Sequence, residues 1–213
     1  MLIDELLEIP PAPVPKTGHI GDCWNLRYIT HPVNNGMYEQ VDCAGTGQDG
    51  EFLAGIEPPN PRFTDNGDGT VTDNMTGLIW LRFATCIEEG LWEDVMAAVS
   101  SLREFQCELT DGSKAGDWRA ANIKELQSLI DYGGSGLPAG HPFVTNEHWS
   151  LVEDRAFWSS TDKIRNLYYP NEAYYVSFWS GHTVSERKHV TDPYNYPEDI
   201  GLTLSAWPVR GGQ

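Results

Sequence analysis

The sequence predicts an α+β fold, and three observations carry that prediction. The stretch "RFTDNGDGTVTDNMTGLIWLR" (62–82) alternates polar and apolar residues around turn signals. Two segments between residues 91 and 134 place apolar residues at helical spacing. The periodicity then returns to two in "FWSST", "AYYVSFWSG" and "LSAWPVRGG". Strands, two helices and strands again describe a domain whose later half is a sheet.

The elements can be justified in order. In "MLIDELLEI", Leu2, Ile3, Leu6 and Leu7 share one side of a short acidic helix, and the prolines of "PPAPVPKTG" stop it. Residues 1–18 therefore read as a docking strip on a stiff spacer, and residues 1–9 are expected to dock on their own domain or on another chain. A frayed terminus is the competing reading. Residues 19–59, rich in Gly, Asn and Pro, read as a loop-rich lead-in with short strands, and residues 60–213 as the main domain.

The 62–82 stretch clusters Asp and Asn around glycines, which invites comparison with a calcium loop. The EF-hand register fails: counting from Asp65, positions three and five fall on Gly67 and Gly69, where the loop needs oxygen ligands. A hairpin fits better. A tight turn over Gly67, Asp68 and Gly69 sets Thr64 opposite Thr72 and Asp65 opposite Val71, and "NMTG" makes a second turn before "LIWLR". An irregular calcium site on Asp65, Asp68 and Asp73 remains as the alternative, and calcium is the one cofactor the residues suggest.

The first helix is expected in "LWEDVMAAVSSLREF", with Leu91, Val95, Ala98, Val99 and Leu102 recurring on one face and Glu93 and Asp94 in the favourable first turn. The second is expected in "NIKELQSLIDYGG". Asn122 can cap it while Glu125 reaches back, Ile123, Leu126, Leu129 and Ile130 face inward, and Gly133 ends it.

Cys23, Cys43, Cys86 and Cys107 form no C-x-x-C pair and no zinc-finger grouping. Two disulfides are the natural reading, and four cysteines allow three pairings. Cys23 with Cys43 and Cys86 with Cys107 is favoured, since each pair closes a loop of about twenty residues, worth about 3 kcal/mol by chain entropy. Such bonds place the chain in an extracellular, periplasmic or virion-surface setting. Four reduced, buried thiols are the other reading.

Charge excludes some functions. Thirty-one Asp and Glu against 14 Lys and Arg give a net charge of −17, which repels phosphate backbones and anionic lipid, so no nucleic acid is expected as a partner. No apolar run approaches the about 18 residues that span a bilayer, and no membrane insertion is expected. The start at Met1 lacks the basic stretch and cleavage site of a secretory signal, which suits a virion surface or a chain whose leader has been removed.

The segments "NPRFTDNGDGTVTDNMTGLIWLR", "NIKELQSLIDYG", "FWSST" and "WPVRGG" resemble, in this order, the bacterial family named after the carboxyl-terminal domain of the Legionella collagen-like adhesin. The resemblance covers about residues 60–213, and "CAGTGQDGEFLAGIEPPNPRF" resembles the lead-in of secreted members. It implies a C-type lectin-like fold, with two helices packed on a mixed, mostly antiparallel sheet and long surface loops on one side. The implied role is binding of glycans or other cell-surface matter, and trimers are the implied homo-oligomer. Two departures stand out. "DWRAANIKEL" carries Ala120 and Ala121 where the family has a Leu-Pro pair, which is expected to loosen one turn. The net charge opposes sulfated polysaccharide except at the basic "SERKH" tip, so a neutral glycan or a cell-surface protein is the expected partner.

Enzymatic chemistry lacks its groups. The last cysteine is Cys107, whereas the related formylglycine-generating enzymes use cysteines late in the chain. There is no H-E-x-x-H, G-x-S-x-G or P-loop motif, and His182 and His189 fall on polar loops. The expectation is a non-enzymatic surface adhesion module; a phage or virion-surface receptor-binding or assembly protein is the alternative. Contact candidates are Tyr168, Tyr169, Asn171, His182, Tyr194, Asn195 and Tyr196, because tyrosine offers wide amphipathic contact at low entropy cost and asparagine adapts its hydrogen bonds. Trp158 and Trp207 are expected in the core, with Tyr175, Phe178 and Trp179 alternating in and out.

Overall fold

The computed structural model describes residues 15–18, 21–27, 37–134, 136–145, 152–163, 171–188 and 202–211. It divides into two compact units, Met1–Pro58 and Pro59–Gln213. Residues 1–9, expected to form a helical docking strip, lie outside the described residues.

In the first unit, β1 (Cys23–Arg27) pairs antiparallel with β2 (Met37–Val41), and the Cys23–Cys43 disulfide closes the ladder with a Cα separation of 5.1 Å. A short helix the sequence did not suggest, α1 (Asp49–Phe52), follows. Its Gly50 is buried against the disulfide: a Cβ there would lie 2.7 Å from the Asp22 carbonyl and about as close to both sulfurs, so only glycine fits. Glu51 accepts the Gly45 and Gly47 N–H groups at 2.8 Å each, and these bonds hold its carboxyl below the usual range.

The second unit begins with the expected meander of β3 (Phe63–Asp65), β4 (Thr70–Asp73) and β5 (Leu78–Leu81). Thr64 faces Thr72 and Asp65 faces Val71, the register set by the glycine turn. Gly69 has φ +87°, and a Cβ there would lie 2.6 Å from the Glu108 carbonyl, which explains glycine at this position. Helix α2 (Trp92–Ser101) buries Val95 and Val99 and hands on to buried Leu102, and Cys86 bonds to Cys107 across it. Helix α3 (Ile123–Ser128) opens with a full capping box: Asn122 accepts from Lys124 and Glu125 N–H, and Glu125 accepts from the Asn122 N–H. This helix stops at Ser128 and does not run to Gly133. Asp131 takes over there, its N–H donating to Gly136 at 2.7 Å and its carboxylate accepting from Gly133 N–H at 2.9 Å. A turn thereby claims the donors a further helical turn would need.

The remaining strands are β6 (Arg119–Ala120), β7 (Ala156–Asp162), β8 (Glu172–Ser177), β9 (Thr183–Arg187), β10 (Ser205–Ala206) and β11 (Pro208–Gly211). They do not form a single sheet with the meander. One sheet has the order β3-β4-β5-β11-β6 and is antiparallel; the other has the order β10-β7-β8-β9, with β10 parallel to β7 and the rest antiparallel. The segment read as one strand, "LSAWPVRGG", changes sheets at Trp207. The switch has a packing cause: Trp207 is fully buried, rings of Phe143, Phe157, Trp80 and Phe178 surround it at 4.7–5.7 Å, and its indole N–H donates to the Leu81 carbonyl at 2.9 Å. Ala120 and Ala121 are buried rather than loosened, since Ala121 N–H donates to Trp207 and its carbonyl accepts from Ser160. Trp158 is buried as well, and Phe178 points in while Trp179 points out.

Candidate functional site

Antiparallel pairing puts the end of β7, the start of β8 and the end of β9 at one end of the four-stranded sheet. Lys163 N–H donates to the Glu172 carbonyl at 3.0 Å, and Lys188 N–H donates to the Asn171 carbonyl at 2.7 Å. Segment 164–170, which joins β7 to β8, and segment 189–201, which follows β9, hold the tyrosine-rich candidates and therefore start at the same sheet end. The second segment is fastened at both flanks. The Trp92 N–H donates to the Lys188 carbonyl at 3.1 Å, the Lys188 ammonium sits 4.1 Å from the Trp92 ring centre and pairs with Asp162, and Leu204 exchanges backbone bonds with Gly90 at 3.2 Å.

Of the contact candidates, Tyr168, Tyr169, Tyr194, Asn195 and Tyr196 lie outside the described residues, as does His189. Asn171 is half-buried at the loop end of the sheet. His182 is exposed in the β8–β9 turn, at the opposite end, so it does not join Asn171. The six-residue strand β8 separates them, about 20 Å at the strand rise. Exposed Trp179 and Tyr132 accompany His182, with the Tyr132 ring 3.0 Å from where a Gly181 Cβ would stand.

A polar cluster that the sequence did not reveal braces the loop end. Lys163 Nζ donates to Glu172 Oε2 at 2.5 Å and to Ser185 Oγ at 2.8 Å, and Ser185 Oγ donates to Glu172 Oε2 at 3.0 Å. The Lys163 bond holds the Glu172 carboxyl below its usual range, against a smaller upward push from burial. A serine beside a lysine resembles a nucleophile and its base, but here Lys163 Nζ is bonded to the Glu172 carboxylate. No motif marks these three residues. Only the β8–β9 register, which sets Glu172 opposite Arg187 and Tyr174 opposite Ser185, brings them together.

The aspartates offered for calcium do not converge. Asp65 accepts the Gly67 N–H and pairs with Arg82 at 3.0 Å, while Asp68 accepts the Thr70 N–H and hydroxyl. Asp73 is fully buried, accepts from Met75 N–H and Thr76 Oγ1, and faces Arg62 at 3.4 Å. Each carboxylate is engaged by a turn or a guanidinium, and Asp73 has in these the partners a buried acid needs. Among the described residues no group of three or more His, Cys, Asp or Glu could hold a metal ion. No helix among them is long and apolar enough to cross a membrane.

Both disulfides have the favoured pairing, and no described cysteine is free. In comparison with known proteins, the family model described as Lcl C-terminal domain matches residues 69–195. No curated protein and no solved structure matches the chain.

Proposed function

This chain belongs to the Lcl C-terminal domain family, and from that premise we propose that it is a non-enzymatic module binding a neutral glycan or a cell-surface protein through the loop end of its four-stranded sheet. The family marks it as an adhesin-type surface module, and the two disulfides are consistent with an extracellular or surface location. The observation that carries the finer reading is the common origin of segments 164–170 and 189–201 at one braced sheet end. Loops carried on a rigid scaffold are where binding chemistry concentrates. Two short helices against antiparallel strands with long connections support a C-type lectin-like assignment, and the family supports a homo-oligomer.

The test is an array of neutral, amino and sulfated glycans, together with binding to intact cells before and after protease treatment. Saturable binding to a neutral glycan, or to cells in a protease-sensitive manner, is expected. Binding confined to sulfated glycans would overturn the reading, because a chain at −17 has to be locally basic to achieve it.

A further inference from the structure

A groove of about 480 Å³ lies beside the Cys86–Cys107 disulfide, between helix α2 and the connection leading into it. Its floor is apolar, with Ile87, Val95 and Leu102 buried along it. Its rim is acidic, formed by Glu88, Glu89 and Asp94. Glu89 meets Arg155 at 3.5 Å, whereas Glu88 and Asp94 are exposed and carry no ion pair among the described residues.

Phe105 precedes groove-lining Gln106 in the chain and is 85% exposed. Its exposure is built into the loop. Phe105, Cys107 and Glu108 all take left-handed backbone angles, with φ of 68°, 52° and 63°. Bonds from Phe105 N–H to Leu109 at 2.9 Å and from Leu109 N–H to Gln106 at 2.8 Å, together with the disulfide, hold that shape. A large apolar ring kept in water, one residue along the chain from an apolar, acid-rimmed groove, suits a contact surface.

We propose that this groove docks a basic segment of a partner protein, with a Lys or Arg against Glu88 and Asp94 and a neighbouring apolar side chain against the floor and Phe105. Charge selects this occupant. Two of the chain's own segments are unsuited, since residues 1–14 carry Asp4, Glu5 and Glu8 and residues 189–201 carry Asp192, Glu198 and Asp199, with no Lys or Arg in either; residues 164–170 offer a single cation, Arg165. A second copy offering residues 1–14 or 189–201 would be repelled in the same way. A neutral sugar supplies no cation, while the net charge of −17 steers a basic protein segment toward the surface. The inference is independent of the tyrosine-rich loops.

The experiment is a fluorescence anisotropy titration of the full chain with two labelled probes, a short peptide alternating Lys and Leu and one alternating Glu and Leu. The lysine peptide should bind saturably and the glutamate peptide should not. The double variant Glu88→Lys, Asp94→Lys should weaken binding about tenfold or more. Phe105→Ala should weaken it about fivefold. The double variant Glu57→Lys, Glu186→Lys makes the same change in net charge on exposed sites elsewhere and should leave binding unchanged. Equal loss in both double variants would make the attraction a bulk charge effect and overturn the proposal. So would saturable binding of the glutamate peptide, or displacement of the lysine peptide by spermine with Phe105→Ala neutral, which would leave a cation site without a docking groove. Substituting the tyrosines of 164–170 and 189–201 should leave lysine-peptide binding intact, so the two sites fail separately.

Discussion

Replacing Trp207 with Ala should unfold the second unit more readily than any other single change in its aromatic core. The ring is fully buried, meets four other aromatic rings at 4.7–5.7 Å and sits where the chain passes from one sheet to the other. Truncating such a side chain costs about 3–5 kcal/mol, and the Leu81 carbonyl, which accepts from the indole at 2.9 Å, loses its donor for about 1 kcal/mol more. At about 2–4 °C per kcal/mol for a domain of this size, the melting temperature should fall by about 10–20 °C. Trp207→Phe separates the two contributions: most ring packing is kept, the donor is lost, and the loss should be about 1–3 kcal/mol. Thermal melts followed by circular dichroism measure both. Trp179→Ala is the control, since Trp179 is 73% exposed and its truncation should change stability by no more than about 0.5 kcal/mol. Equal shifts for Trp207→Ala and Trp179→Ala would refute the assignment of Trp207 as the hub of the core.

Three further outcomes are expected. Cys86→Ser with Cys107→Ser, which reopens a loop of sequence separation 21, should cost about 3 kcal/mol in a denaturant titration; no loss would show that this bond does not restrain the unfolded chain. Burial pushes the Glu125 carboxyl up, but the bidentate Arg119 pair at 2.6 and 2.7 Å and the Asn122 N–H outweigh it and hold it below the ordinary value of 4.5. Its contribution is therefore present above about pH 4.5 and is lost as pH falls through the depressed folded value, so Glu125→Gln should flatten the acid limb of a stability-versus-pH curve; an unchanged limb would contradict this. Adding EDTA should leave the melting temperature unchanged, because Asp65, Asp68 and Asp73 are committed to turns and guanidinium groups; a drop of several degrees would revive the calcium reading.

What the sequence disclosed was local. The glycine turn fixed the 64–72 register, the Asn122/Glu125 spacing fixed the start of α3, and the near-equal loops closed by cysteine identified both disulfides. What it concealed was long-range. A two-residue strand such as β10 has too little periodicity to reveal a parallel partner 48 residues upstream, where Ser205 pairs with Phe157, so the split into two sheets at Trp207 was not legible. The end of α3 was misplaced because Asp131 makes its own turn ahead of Gly133. At the candidate site, His182 and Asn171 shared a polar stretch in sequence, yet an intervening strand carries them to opposite ends of the sheet. The brace of Lys163, Glu172 and Ser185 joins residues at the end of β7, the start of β8 and the middle of β9, and exists only through their register.

The claim that the loop end of the four-stranded sheet is the binding face is tested most directly by the triple variant Tyr169→Ala, Tyr194→Ala, Tyr196→Ala. Its binding to target cells, or to the glycan found on the array, is measured beside its melting temperature. Binding should fall by about thirtyfold or more, since an aromatic anchor contributes 2 kcal/mol or more to a complex, while the melting temperature stays within about 2 °C of the parent. Retained binding, or a loss of binding matched by an early melt like that of Trp207→Ala, would contradict the account.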